Sequence, residues 1–360
     1  MNTHMKRRPT IQDVAKKASL SISTVSLVLN NKSNVSDETR RKVLGAIAEL
    51  GYHPHRGARG LASKFTGNIG FIVTEDHFSQ VEPFYTRIFL GTELEARDLD
   101  YYVLLTTVSK RFSKESAAVP RFLLERNVDG VIIAGRVSLA FIDYITRLGL
   151  PIVLVDYALA GRRISSILID NLSGAHAAMM HLINGGYRDI GFIGGDPSHP
   201  SMKERFETYR KTLEECGIPY RPALVDAGRE TARVEDGCVS MERMLKSGAK
   251  PRAIFSANDA LAIGCMRYLQ SADIRVPEDI AIVGFDDIEM SSHVEPPLTT
   301  VRVFKEEMGK LAIRRLVEMC KSPSGATTIV HVPVELVVRE SCGIKSAVAE
   351  DGGDRIPVGF

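Results

Sequence analysis

A chain of 360 residues with 44% hydrophobic and 25% charged content is too apolar to stay unfolded and long enough for more than one core. The net charge of +2 conceals an uneven spread: residues 1–64 hold 12 Lys and Arg against 4 acids, while the rest hold 34 against 40. A head at +8 on a body at −6 points to a polyanionic partner for the head alone, the bland alternative being a solvated basic face.

The opening MNTHMKRRPTIQD lacks the apolar centre of a signal peptide, and no run of about eighteen apolar residues occurs. No membrane partner is expected, and the cytoplasm is the expected compartment. Ile11, Val14, Ala15 and Ala18 recur at one-face spacing behind Thr10, a good N-cap, which predicts a short amphipathic helix. After the turn Ser19-Leu20, Ser21 caps a second helix with Val25, Val28 and Leu29 inward and Ile22, Ser23, Ser26 and Leu27 outward. Ser36-Asp37-Glu38-Thr39 opens a third, with Val43, Ile47 and Leu50 as its apolar stripe and Gly51 beyond its end.

Three such helices form a helix-turn-helix unit whose second helix suits the major groove. Ile22, Ser23 and Leu27 are the expected base-reading set: the serine hydroxyl donates or accepts, and the two apolar side chains suit a thymine methyl. Thr10, Thr24, Ser26, Asn30, Asn34, Ser36 and Thr39 suit phosphate oxygens, although each alone is equally an ordinary cap or surface group.

From Gly67 the pattern changes to short apolar runs alternating with helical stretches: NIGFIVTE, YYVLLTTV, DGVIIAG, PIVLVDY, IGFIGGD, AIFSAND and IAIVGFDD. This predicts parallel sheets flanked by helices, with ligands beyond the carboxyl ends of the strands. Asp196, Asn258-Asp259 and Asp286-Asp287 close such runs. Gly194-Gly195 lacks the rest of a dinucleotide fingerprint, and no nucleophile elbow, HExxH or P-loop occurs, so neither cofactor nor catalytic residue is expected. The five cysteines, Cys216, Cys238, Cys265, Cys320 and Cys342, are scattered without metal-type spacing and read as reduced thiols; no metal is expected.

The segment TIQDVAKKASLSISTVSLVLNNKSNVSDETRRKVLGAIAELGYHPHRGARGL resembles the head of the LacI/GalR family of transcriptional regulators. GFIVTEDHFSQVEPFYTRIFLGTELEA, DNLSGAHAAMMHLINGGYRDIGFIGG, FSANDALAIGCMRYL and VPEDIAIVGFDDIEMSSHVEPPLTTVRV resemble its two-lobed, periplasmic-binding-protein-like α/β body. The resemblance implies a head over 1–52, a hinge helix over 53–66 and a body over 67–345, followed by a tail, 346–360, whose composition reads as disordered. It places one lobe at about 67–170 plus 299–328 and the other at about 171–298 plus 329–345.

It further implies that Ala58, Arg59 and Leu61 enter the minor groove, with Leu61 as a wedge, and that a homodimer grips a palindromic operator in double-stranded DNA. The effector implied is a small polar molecule, a sugar or a nucleoside, held between the lobes by Asp76, Phe84, Tyr85, Arg205, Asn258 and Asp286. Leu27 departs from the family, where many relatives carry an arginine that pairs with guanine; Gly60 replaces a better helix former. Whether the effector releases or secures DNA, and whether dimers pair into tetramers, stays open. A solute-binding protein or a doubly wound enzyme are the rivals; the basic head opposes the first and missing acid–base spacing the second.

Overall fold

The structure, a computed structural model, describes residues 9–29, 35–52, 65–75, 84–109, 119–229, 231–322 and 325–344. The chain divides into two compact units, Met1–Gly67 and Asn68–Phe360. The readings of Asn30, Asn34, Ala58, Arg59, Leu61, Asp76 and the 346–360 tail lie outside the described residues.

The first unit holds α1 (Ile11–Ala18), α2 (Ile22–Leu29) and α3 (Asp37–Leu50). Each start is fixed locally. Thr10 and Asp13 form a reciprocal capping box, the Ser21 hydroxyl accepts from the Thr24 amide at 3.1 Å, and Ser36 accepts from the Thr39 amide. Ser19 and Gly51 end α1 and α3 in the left-handed conformation. Val14, Ala15, Val25, Val28, Val43, Ala46 and Tyr52 make the shared core.

In the second unit, β1 (Asn68–Thr74) is followed by α4 (Phe84–Asp98), β2 (Tyr102–Val108), α5 (Arg121–Leu124) and β3 (Gly130–Ala134). Next come α6 (Leu139–Arg147), β4 (Ile152–Val155), β5 (Ser165–Ile169), α7 (Asn171–Asn184) and β6 (Ile190–Gly195). Then follow α8 (Pro200–Glu215), β7 (Val225–Arg229), α9 (Val234–Lys246), β8 (Ala253–Ser256) and α10 (Asp259–Ser271). The last elements are β9 (Ala281–Val283), β10 (Thr300–Val303), α11 (Lys305–Lys321), β11 (Ile329–Val332) and β12 (Val334–Val337).

These strands build a six-stranded sheet ordered β11-β5-β4-β3-β1-β2, a four-stranded sheet ordered β7-β6-β8-β9, and the antiparallel pair β10-β12. Every pairing inside the two larger sheets is parallel, as fully buried runs such as GVIIA and IVLV require. Helices α4 and α11 pack so closely that a Cβ on Gly91 would collide with the Glu306 carbonyl, and one on Gly309 with that of Ile88.

One expected boundary is corrected. The resemblance implies that residues 329–332 belong to the second lobe, yet β11 lies beside β5 in the six-stranded sheet, Ile329 opposite Ser166 and Val332 opposite Ile169. This short Ile/Val-rich run satisfies its backbone by extending an edge, so the chain leaves that sheet only after Val332. Thr300–Val303, expected with the first lobe, instead pairs with β12.

Both larger sheets reverse strand order, between β1 and β3 in one and between β6 and β8 in the other. The crevices beyond the carboxyl ends of strands at such reversals are where open α/β sheets hold ligands.

Candidate functional site

The head presents its candidates outward. With Val25 and Val28 buried, Ser23 lies opposite the core at about 100° per residue, flanked by Ser26 and Leu27, with Ile22 at the first-turn margin. Ile22 is 46% and Leu27 36% exposed. The hydroxyls expected on phosphates have local duties: Thr10 donates to Asp13 at 2.7 Å, and Thr24 and Thr39 each lie 2.9 Å from the hydroxyl of the capping serine.

In the body, Arg205 is the centre. It projects from α8 and is 2% exposed; its Nε donates to Asn171 Oδ1 at 2.9 Å, and its Nη1 donates to the Ala257 carbonyl at 2.6 Å and to Asp286 Oδ1 at 3.2 Å. The guanidinium lies over the Phe285 ring, 3.6 Å from the centroid. Burial raises the Asp286 carboxyl above its ordinary range, while Arg205 and Lys305 pull it back. Lys305 is itself lowered by burial and donates to the Asp286 and Asp287 carbonyls. Asp286 and Asp287 both adopt positive φ, 113° and 48°, so this turn is held by its charged neighbours rather than by backbone preference.

A second group meets at Asp156, just past β4. Its Oδ2 accepts from the Tyr85 hydroxyl at 2.8 Å and its Oδ1 from Ser201 Oγ at 2.9 Å, while His199 Nε2 lies 3.7 Å away. Burial raises the Tyr85 hydroxyl well above its ordinary value, and the Asp156 charge adds to this, so the phenol stays a donor. Burial lowers His199, and Asp156 opposes that shift. Nδ1 of His199 is buried without a hydrogen-bond partner. Arg136, past β3, donates to Ser198, past β6, at 2.8 Å. Groups that follow strands of the six-stranded sheet thus touch groups that follow strands of the four-stranded sheet, beyond the carboxyl ends of both.

The structure therefore brings Tyr85, Arg205 and Asp286 together: Arg205 pairs with Asp286, and the charges of both act on the Tyr85 hydroxyl. Phe84 stands edge-on to Tyr85 at 5.1 Å and faces Lys305 at 5.7 Å. Asn258 caps α10 by accepting from the Leu261 amide and donates to the Ala232 carbonyl, so its amide is already engaged structurally. Sequence reasoning missed Asp156, Asn171, Ser198, His199, Ser201 and Phe285. Asp156 carried a legible signal, since it closes PIVLVDY as Asp286 closes its own run; the others follow helix starts and loops that only tertiary structure assembles.

A helix-turn-helix unit followed by a two-sheet body with a polar crevice defines the class of ligand-responsive DNA-binding regulators. Residues 10–55 match the model for bacterial regulatory proteins of the lacI family, and residues 179–342 match that for the periplasmic binding protein-like domain. The chain is 33% identical to catabolite control protein A of Priestia megaterium over 334 residues, covering 92% of this chain and 98% of that protein. It is 31% identical to the ribose operon repressor of Haemophilus influenzae over 335 residues, again covering 92% and 98%. The lac repressor dimer bound to operator and the anti-inducer ONPF superposes with a TM-score of 0.78 at 30% identity, covering 93% of this chain and 99% of that one. A transcriptional regulator CelR–cellobiose complex gives 0.70 at 31% identity, covering 93% and 100%. The chain belongs to the lacI family of bacterial regulatory proteins, and it regulates transcription by binding DNA.

Proposed function

We propose that this protein is a cytoplasmic, homodimeric repressor whose affinity for a palindromic operator is set by a small polar effector, a sugar or a nucleoside, held in the crevice of its body. The observation that carries the reading is the Arg205 cluster: a buried guanidinium, stacked on Phe285 and paired with Asp286, beside an Asp156 group to which both sheets contribute. A planar fork beside two carboxylates and an aromatic face matches a ring bearing several hydroxyls. The unpartnered His199 Nδ1 adds a polar atom for such a ligand. Phe84, Tyr85, Arg205, Asp286, Asn258 and Asp76 form the effector set, to which Asp156, Ser201 and His199 are now added.

In the head, Ile22, Ser23 and Leu27 read bases; Thr10, Thr24, Ser26, Asn30, Asn34, Ser36 and Thr39 position the phosphates; Ala58, Arg59 and Leu61 serve the minor groove. A ligand that prefers one separation of the two sheets shifts the population competent for DNA. The cellobiose bound by CelR and the operator bound by lac repressor are the relatives' partners and support the same assignment here. The reading predicts a body with receptor chemistry and no turnover of its ligand.

The test is a calorimetric screen of sugars and nucleosides against the whole protein, paired with a DNA titration at rising salt. One compound is expected to bind, to change DNA affinity, and to lose its effect in Arg205→Ala. Salt-insensitive DNA binding, or a screen in which every binder leaves DNA affinity unchanged, overturns the reading.

A further inference from the structure

We infer that the reading helix recognises its operator chiefly through the C5-methyl groups of thymine rather than through hydrogen bonds to guanine, an inference that rests on the DNA-regulator reading above. Between Ser21 and Leu29 no Arg, Lys, Asn, Gln, Asp or Glu occurs. The side chains turned away from the core are Ser23 and Ser26, with exposed Leu27 and exposed Ile22 to either side. The basic side chains of the described head lie on α1, Lys16 and Lys17, and on α3, Arg40, Arg41 and Lys42.

That division separates two kinds of recognition. Cations on α1 and α3 attract phosphate and carry no sequence information. The reading helix lacks every side chain that pairs bidentately with a base edge, namely Arg or Lys on guanine and Asn or Gln on adenine. A serine hydroxyl both donates and accepts, so it discriminates weakly among the four base pairs. What remains is apolar surface, and thymine alone presents a methyl group in the major groove. Leu27 and Ile22 project about 140° apart around the helix, too far for one methyl, so each half-site is assigned two thymine contacts.

The experiment first selects a preferred duplex from a random library with the full-length protein. Deoxyuridine, which lacks the methyl, then replaces each thymine of one half-site in turn. Two positions are expected to lose about fourfold in affinity each, the worth of one buried methyl. The ratio should hold between about 50 and 200 mM salt while affinity itself falls, because methyl burial releases no counterions. Leu27→Ala should erase the deoxyuridine effect at one position and Ile22→Ala at the other. Indifference to every deoxyuridine, or a dominant loss on replacing guanine with 7-deazaguanine, overturns the inference while leaving the regulator reading intact. Failure to select any preferred duplex overturns both.

Discussion

In the head, Ile22, Ser23 and Leu27 stand exposed on a short helix whose other side completes a core of seven buried side chains. In the body, Arg205 and Asp286 are buried, and their polar atoms are bound to one another and to Asn171 and Ala257. The head can change what it reads at little cost to its fold, because an exposed side chain contributes little to stability. The body cannot, because the groups that would recognise a ligand also hold the crevice together. Evolution of operator choice and evolution of effector choice therefore face different constraints within one chain.

The largest effect expected from that contrast is in the body. Arg205→Ala strips the buried Asp286 carboxylate of its paired guanidinium, leaving Lys305 as the other cation acting on it, and should destabilise the body by about 3–5 kcal/mol, read as a lowered urea midpoint. Arg205→Lys should recover little, since an ammonium cannot span Asn171, Ala257 and Asp286 as the planar fork does. A wild-type midpoint in Arg205→Ala would break the comparison, because it would make the cluster purely functional.

A second test uses pH. Asp259 at the start of α10 is fully buried, accepts from Ser291 at 2.7 Å, Thr300 at 2.5 Å and the Ile288 amide at 2.9 Å, and titrates at about 7 rather than 3.8 because of burial and the nearby Asp286. The folded state thus binds this proton more tightly than the unfolded state. Its contribution is fully present below pH 3.8 and declines as pH climbs to about 7, a loss of about 2–4 kcal/mol in all. His199 and His181, both lowered by burial, slope the other way below pH 6.5. The measurement is therefore the difference in unfolding free energy between wild type and Asp259→Asn, which should fall from pH 4 to pH 7. A flat difference would show that Asp259 titrates normally.

The same contrast explains what could be read from the chain alone. Helix starts at Thr10, Ser21 and Ser36 and the stop at Gly51 were legible because caps act within about four residues of sequence. Arg205 and Asp286 were legible as types of side chain in a resembling pattern, but their company was not: Asn171, Phe285 and Ala257 reach Arg205 only once α7, β8 and the β9 loop have packed. Asp156 obeys the same rule as Asp286, closing an apolar strand run at its carboxyl end. The misplaced Ile329–Val332 shows the limit of pattern, since four apolar-rich residues suit the edge of either sheet and long-range pairing with β5 decides.

The smallest effect tests whether the head is energetically its own unit. Val43 is fully buried, and among the described residues the cluster it joins draws only on those between Ile11 and Tyr52. Val43→Ala removes two methyl groups and leaves a small void, which should cost about 2 kcal/mol. In a domain of three short helices that is a large share of the total, so hydrogen-exchange protection across α1 to α3 should fall and DNA affinity with it. Strands β1 to β9 should keep wild-type protection, because none of their side chains belongs to this core. Equal loss of protection in the sheets would mean that head and body unfold as one, and the freedom ascribed to the reading face would then be charged to the body's stability as well.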